Sequence, residues 1–164
     1  MTALAALAAL LTLTLAAVMA GTFFAFSVSV LPGLGTVPPE QAVAAMRGMN
    51  AKILNPLFLT PFMAVPLTAA LTAVALFALG HRAAALAFLA AALVYGAGAF
   101  APTVAVNVPL NDALAAGVAD TPERAAALWA DFAPRWTRFN ALRSAAGTVT
   151  VLLTGVGLFL WRRA

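Results

Sequence analysis

Residues 3–31 read ALAALAALLTLTLAAVMAGTFFAFSVSVL and contain no charged side chain. At a rise of about 1.5 Å per residue, a helix of this length crosses a hydrocarbon core of about 30 Å. The stretch therefore predicts a first transmembrane span. A cleaved signal peptide is the alternative interpretation, because Val18-Met19-Ala20 resembles a small-residue cleavage site, although no Lys or Arg precedes the apolar stretch.

Three more apolar stretches follow along the chain. They predict spans at about residues 55–79, 82–108 and 134–161, each long enough to cross a bilayer. The composition agrees, since 64% of the residues are hydrophobic and 9% are charged, whereas a soluble domain has about a quarter charged residues. We expect an all-α integral membrane four-helix bundle that forms one domain over residues 1–164. Its expected location is a bacterial cell membrane, as a multi-pass protein.

The two longer loops carry signals of short amphipathic helices. One is expected at about residues 40–54, after Pro38 and Pro39, and the other from Thr121 through Phe132. Four spans place the loops 33–54 and 109–133 on the same side of the membrane. We therefore expect both loops to cover one mouth of the bundle.

Nearly all polar chemistry lies between Asn107 and Arg143. Trp136, Asn140 and Arg143 share one face of the fourth predicted helix, as the 3.6-residue helical period requires. The sequence NVPLND at residues 107–112 predicts a helix exit, because proline removes a backbone hydrogen bond and Asn and Asp are good capping residues. Polar residues beside lipid-length helices are costly unless they face a protein interior, so this stretch is the candidate site.

Not every polar side chain there needs a functional role. Hydrogen bonds between helices explain Thr103, Thr150 and Thr154. Arg143 lies about two turns inside the fourth predicted span and needs a carboxylate or another acceptor. Asp112 and Asp131 are the nearest candidates by sequence position.

Composition also excludes several classes of function. The chain has no cysteine and a single histidine, His81, in a predicted turn. We therefore expect no metal site and no cofactor, although a haem ligand from His81 is the alternative to an interfacial turn residue. The basic residues form no stripe that could follow phosphates, so we expect no nucleic-acid partner.

Four motifs together resemble the membrane anthrone-oxygenase family, also described as domain of unknown function 1772. They are NVPLND, the W-x-x-x-N-x-x-R of residues 136–143, the G-x-x-F-x-F-S-x-x-x-x-P of residues 21–32 and the M-x-x-M-N of residues 46–50. The resemblance implies oxidation of polyketide anthrones to anthraquinones by molecular oxygen, without metal or flavin. The absence of a metal-ligand set in the sequence agrees, since such chemistry needs a substrate that is itself reducing.

On this hypothesis, a planar phenolic substrate comes laterally from the bilayer and binds between the third and fourth spans. Its partners are then the hydrophobic small molecule, the lipid bilayer and O2, and an oligomer is possible. The expected catalytic residues are Asp112 as proton acceptor, with Asp131 second, together with Arg143, Asn140 and Asn107. The expected substrate-binding residues are Asn50, Asn111, Trp129, Trp136 and Phe24. The alternative is a non-catalytic binding or accessory protein for a lipid-like small molecule.

Overall fold

The computed structural model describes residues 2–163, and this range is helical without any β-strand. Its helices are α1 (Thr2–Leu34), α2 (Pro39–Ile53), α3 (Pro56–Ala78), α4 (Arg82–Ala116) and α5 (Pro122–Arg163). Of these, α1, α3, α4 and α5 are long and apolar enough to cross a membrane. The predicted all-α four-helix architecture is confirmed.

Three helix boundaries differ from the prediction. In each case a proline was expected to mark the boundary, and the helix continues through that proline. α1 continues past Pro32, and α5 begins at Pro122 and runs straight through Pro134, so the expected separate helix before Pro134 is its first part. α4 continues through Pro109 to Ala116, so the predicted helix exit at residues 107–112 is wrong. The capping role expected for Asn111 and Asp112 is wrong for the same reason.

π-helical turns explain how α1 and α4 pass their prolines. The segments Phe26–Val30, Gly96–Phe100 and Thr103–Asn107 are π-helical, and a proline follows two residues after each. In an ordinary α-helix, the proline ring clashes with the carbonyl four residues earlier and leaves it without a donor. The wider turn relieves this conflict, because the N–H before each proline donates to the carbonyl five residues earlier. Such π turns are frequent at functional sites.

The four long helices form a ring in the order α1, α3, α4, α5. Small residues bring the backbones close together, as membrane helices commonly do. A Cβ at Gly98 on α4 would lie 2.5 Å from the Cβ of Ala146 on α5, and a Cβ at Gly147 would lie 3.1 Å from the Cα of Ala20 on α1. α5 thus packs tightly on both neighbours.

α2 covers one end of this ring. Arg47 Nε donates to the carbonyl of Leu114 at 2.9 Å, and its Nη2 donates to the carbonyl of Gly117 at 2.7 Å. Val43 and Met46 are buried in an apolar cluster with residues of α4 and α5. Both loops therefore lie at the same end of the bundle.

Candidate functional site

A cavity of about 140 Å³ lies at the covered end of the bundle. All four long helices and α2 contribute to it, rather than the third and fourth spans alone. Its walls combine polar, aromatic and aliphatic side chains. The polar and aromatic ones are Thr22, Asn50, Thr103, Asn107, Asn111, Asn140, Arg143, Phe23, Phe26, Phe58, Phe62 and Trp136.

Arg143 is the central charge of this cavity and is only 5% exposed. Its Nη1 donates to Thr103 Oγ1 at 3.2 Å, and its Nη2 donates to Asn140 Oδ1 at 2.8 Å. The guanidinium carbon lies 4.7 Å from the ring centre of Phe23 and 5.1 Å from that of Trp136. Two neutral oxygens and two aromatic faces thus surround the cation.

The expected acidic partner of Arg143 is not there. Asp112 and Asp131 are both exposed, and neither lines the cavity. Within residues 2–163 the structure contains one ion pair, Arg124–Asp120, which lies on the surface. A buried cation without a counter-charge stabilises an anion strongly, because the surrounding medium screens it weakly.

Asn140 is held in a fixed orientation by α1. Its Nδ2 donates to the carbonyl of Phe23 at 2.9 Å and to Ser27 Oγ at 2.8 Å. Its Oδ1 is left to accept from Arg143. The orientation of the acceptor for Arg143 is therefore fixed by α1, because Phe23 of α1 lies 117 positions from Asn140 in the sequence and yet accepts its hydrogen bond.

α4 orients Trp136 in a similar way. The indole Nε1 donates to Asn111 Oδ1 at 2.8 Å, and Asn107 Nδ2 donates to the backbone carbonyl of Trp136 at 3.3 Å. The ring of Phe26 lies 5.7 Å from the indole in a tilted arrangement. The indole is thereby fixed as one wall of the cavity.

Three buried polar atoms of cavity-lining residues have no hydrogen-bond partner in the described range: Asn50 Nδ2, Asn107 Oδ1 and Arg143 Nε. Buried polar atoms are normally paired, and each unpaired one costs about 1–3 kcal/mol. These three atoms, two donors and one acceptor, belong to residues that line the cavity, but almost none of their own surface is accessible. A ligand that pairs all three needs at least two acceptor groups and one donor.

Six of the nine expected site residues line the cavity: Asn50, Asn107, Asn111, Trp136, Asn140 and Arg143. The other three, Phe24, Asp112 and Trp129, do not.

Helix geometry explains two of these exclusions, and side-chain packing explains the third. Phe24 is one residue after Phe23, so it points about 100° away and lies exposed on the outer surface. Asp112 is turned outward in the same manner, because α4 does not end at Asn111. Trp129 packs against Phe132 at 5.7 Å in the apolar cluster under α2. The structure thus places these three side chains outside this cavity.

Sequence reasoning missed an aromatic wall on α3. Phe58 and Phe62 are stacked with their ring centres 5.7 Å apart, and Phe62 stacks on Phe100 of α4 at 5.2 Å. The spacing of four between Phe58 and Phe62 places both on one helix face, and this signal could have found them. Within residues 2–163, no group of three or more His, Cys, Asp or Glu could hold a metal ion.

Fold and site together define a class of protein. Four helices able to cross a membrane fit a multi-pass membrane protein, and the polar chemistry sits in a cavity at one end, around a buried arginine. The anthrone oxygenase family model matches residues 56–153. This range holds α3, α4 and most of α5, well over half of the chain, and the chain belongs to the anthrone oxygenase family. No curated protein matches the chain, and no solved structure does.

Proposed function

We propose that the protein oxidises a hydrophobic phenolic or anthrone-like substrate with O2, without a cofactor, in the cavity around Arg143. One observation carries the proposal: a guanidinium that is 5% exposed has no carboxylate partner and faces a cavity with aromatic walls. An anthrone or phenol that loses a proton becomes an enolate or phenolate. A fixed cation in an apolar site stabilises such an anion as it forms.

The reaction balances without any further reagent. Loss of a proton from the benzylic methylene gives an electron-rich enolate, which transfers electrons to O2. A carbon–oxygen bond then forms to give a peroxide. Loss of the second methylene hydrogen as a proton, with cleavage of the oxygen–oxygen bond, leaves a carbonyl and releases water. An anthrone loses four electrons in total, and O2 accepts them. A hydroquinone has no such methylene; it would lose two protons and two electrons to give a quinone, and O2 would become hydrogen peroxide.

The proton acceptor in this proposal is water rather than a side chain. The carboxylates Asp112 and Asp131 lie outside the cavity. Arg143 compensates by making the substrate more acidic. At about 4 Å and an effective dielectric constant of about 20, one positive charge contributes about 4 kcal/mol, equivalent to about three units of substrate pKa.

The amide groups would hold the oxygen atoms of the substrate and of the peroxide. Asn50 Nδ2 is a free donor and Asn107 Oδ1 is a free acceptor. Trp136 and Phe62 would hold the aromatic ring from different sides of the cavity. The bilayer would supply the substrate, because a neutral, hydrophobic anthrone or phenol partitions into lipid.

Oxygen uptake by the purified protein in lipid nanodiscs tests this proposal. With 1,8-dihydroxyanthrone, we expect quinone formation faster than in protein-free nanodiscs, with one ¹⁸O atom from ¹⁸O2 in the product. Arg143→Met should lower the rate by about 10²–10³-fold, and Arg138→Met, which changes an exposed arginine of the same helix, should not. Equal rates with and without protein, for this substrate and for simple quinols, would overturn the proposal.

The second candidate is a non-catalytic binding or accessory protein for the same class of molecule. It is favoured by the lack of a carboxylate or imidazole among the cavity-lining residues, since catalysis usually employs a positioned general base. This candidate predicts binding that depends on Arg143 and no oxygen uptake above background.

A further inference from the structure

α3 and α4 diverge towards the cavity. They are joined by a tight turn at Gly80, and α3 packs closely on Arg82–Tyr95 of α4. The contact weakens at Gly96–Phe100, and α3 no longer packs closely on Thr103–Asn107. The cavity lies at this open end of the hairpin.

The cavity wall at this gap is thin and apolar. Leu54, Leu59, Val104 and Val108 line the cavity, and all four are also exposed on the outer surface. Leu54 is 66% exposed and Val104 is 55% exposed. The cavity is therefore partly open, between these side chains, to the surroundings of the bundle, which for a bundle that spans a membrane would be lipid.

The space inside the cavity is small. A cavity of about 140 Å³ is comparable to an apolar cavity of about 150 Å³ that encloses benzene. One aromatic ring therefore fills it. A fused three-ring molecule is larger than this volume and would extend out of the cavity, towards the apolar surroundings beyond Leu59 and Val104.

The polar atoms are at the opposite, inner side. Arg143 and Asn107 are 5% and 1% exposed, and each carries a buried atom without a partner, Nε and Oδ1. An anionic or carbonyl oxygen would pair with the first atom, and a hydroxyl would pair with the second. The cavity is thus polar at its inner end and open to apolar surroundings at its outer end.

From this polarity and size we infer that the cavity binds the single-ring phenolic head of an amphiphile, whose alkyl tail passes between α3 and α4 into the lipid. The inference rests on the proposed function for the phenolic nature of the head. It deepens that function, because it selects a tailed one-ring phenol over a fused three-ring substrate.

Equilibrium binding to nanodiscs with and without the protein tests this selection. The probes are dodecylhydroquinone, methylhydroquinone, which has the same ring without the tail, and 1,8-dihydroxyanthrone. Val104→Trp fills the gap between α3 and α4. It should weaken dodecylhydroquinone binding at least tenfold and change the affinity for methylhydroquinone by less than twofold. Leu93→Trp, at an exposed position of α4 outside the cavity, should change neither. Equal effects of Val104→Trp on both hydroquinones, or tighter binding of the fused three-ring probe to the unaltered protein, would overturn the inference.

Photolabelling of the unaltered protein gives a result that does not depend on how a variant folds. A diazirine on the fourth tail carbon of dodecylhydroquinone should label Leu59, Val104 or Val108, and excess unlabelled dodecylhydroquinone should suppress the labelling. Suppressible labelling confined to another face of the bundle would contradict the tail position.

The two proposals fail in different ways. Tail-dependent binding without oxygen uptake would overturn the proposed oxidation and leave the bound amphiphile in place. This inference alone would be overturned if the fused three-ring probe supported oxygen uptake as fast as dodecylhydroquinone and if the two hydroquinones bound with equal affinity.

Discussion

Replacement of Arg143 by Met should separate ligand binding from stability. The substitution removes two hydrogen bonds and two cation–π contacts of the guanidinium. Taking the value of about 0.6 kcal/mol measured between membrane helices for each of the two hydrogen bonds, of which one joins α5 to α4 and the other lies within α5, and about 1–2 kcal/mol for each desolvated cation–π contact, gives the size of the loss. The total loss is therefore about 3–5 kcal/mol. Removal of the charge stabilises the variant by about 2.5–3.5 kcal/mol, because a charged side chain in an apolar span costs about this much.

The net change in the free energy of unfolding should thus be small, within about 2 kcal/mol. The absence of an acid near Arg143 decides this result. Had Asp112 or Asp131 been buried beside it, the variant would leave an uncompensated carboxylate and lose about 3–5 kcal/mol. Ligand affinity responds differently, since an anionic oxygen about 4 Å from the guanidinium loses about 4 kcal/mol at an effective dielectric constant of about 20. This corresponds to about a 10³-fold higher Kd.

Both quantities can be measured on one preparation in nanodiscs or bicelles. Steric-trap unfolding gives the free energy of unfolding, and equilibrium binding of an ionised phenol gives the Kd. Arg138→Met serves as the control, because this exposed arginine lies outside the cavity. Arg143→Lys should keep the charge yet bind less tightly than the unaltered protein, since lysine lacks the planar fork of arginine. A loss of more than about 4 kcal/mol in Arg143→Met, or an unchanged Kd, would refute this account of the cation.

Gly98→Ala should weaken the contact between α4 and α5 and lower the unfolding midpoint, because its Cβ would meet an alanine Cβ at 2.5 Å; Gly155→Ala, with no atom within 4 Å, is the matched control. Arg47→Ala should speed ligand dissociation, measured by stopped flow, because two hydrogen bonds to the end of α4 hold α2 over the cavity; an unchanged rate would show that α2 does not restrict exit. Cysteines at the exposed positions Ala45 and Asp120 should react with an impermeant maleimide from the same side of the membrane, and labelling from opposite sides would contradict the shared position of the two loops.

Much of the helical layout follows from the sequence. Apolar stretches of this length, such as residues 3–31, can bury their backbone polar groups in lipid only as helices, so length and composition are sufficient to predict four spans. The common face of Trp136, Asn140 and Arg143 follows equally directly from the helical period. These three residues do meet in one cavity.

Helix ends were predicted less well, because proline is an ambiguous signal. Pro109 and Pro134 read as ends in the sequence, yet both lie inside helices. α4 accommodates Pro109 by a π turn at Thr103–Asn107. The periodic pattern of apolar residues in the sequence does not predict such a turn. The consequence is functional, since the continued helix turns Asp112 outward and removes it from the cavity.

The sequence by itself determined which segments are helices and which of their faces are polar, because both depend on interactions within a few residues of the chain. Only the tertiary structure decided what those faces meet. Asn140 is oriented by the carbonyl of Phe23, and Asn50 reaches the same cavity from α2. Arg143 has aromatic rings and neutral oxygens as neighbours instead of an acid. Such neighbours depend on the rotation and spacing of whole helices, which are set by close contacts such as that of Gly98 with α5.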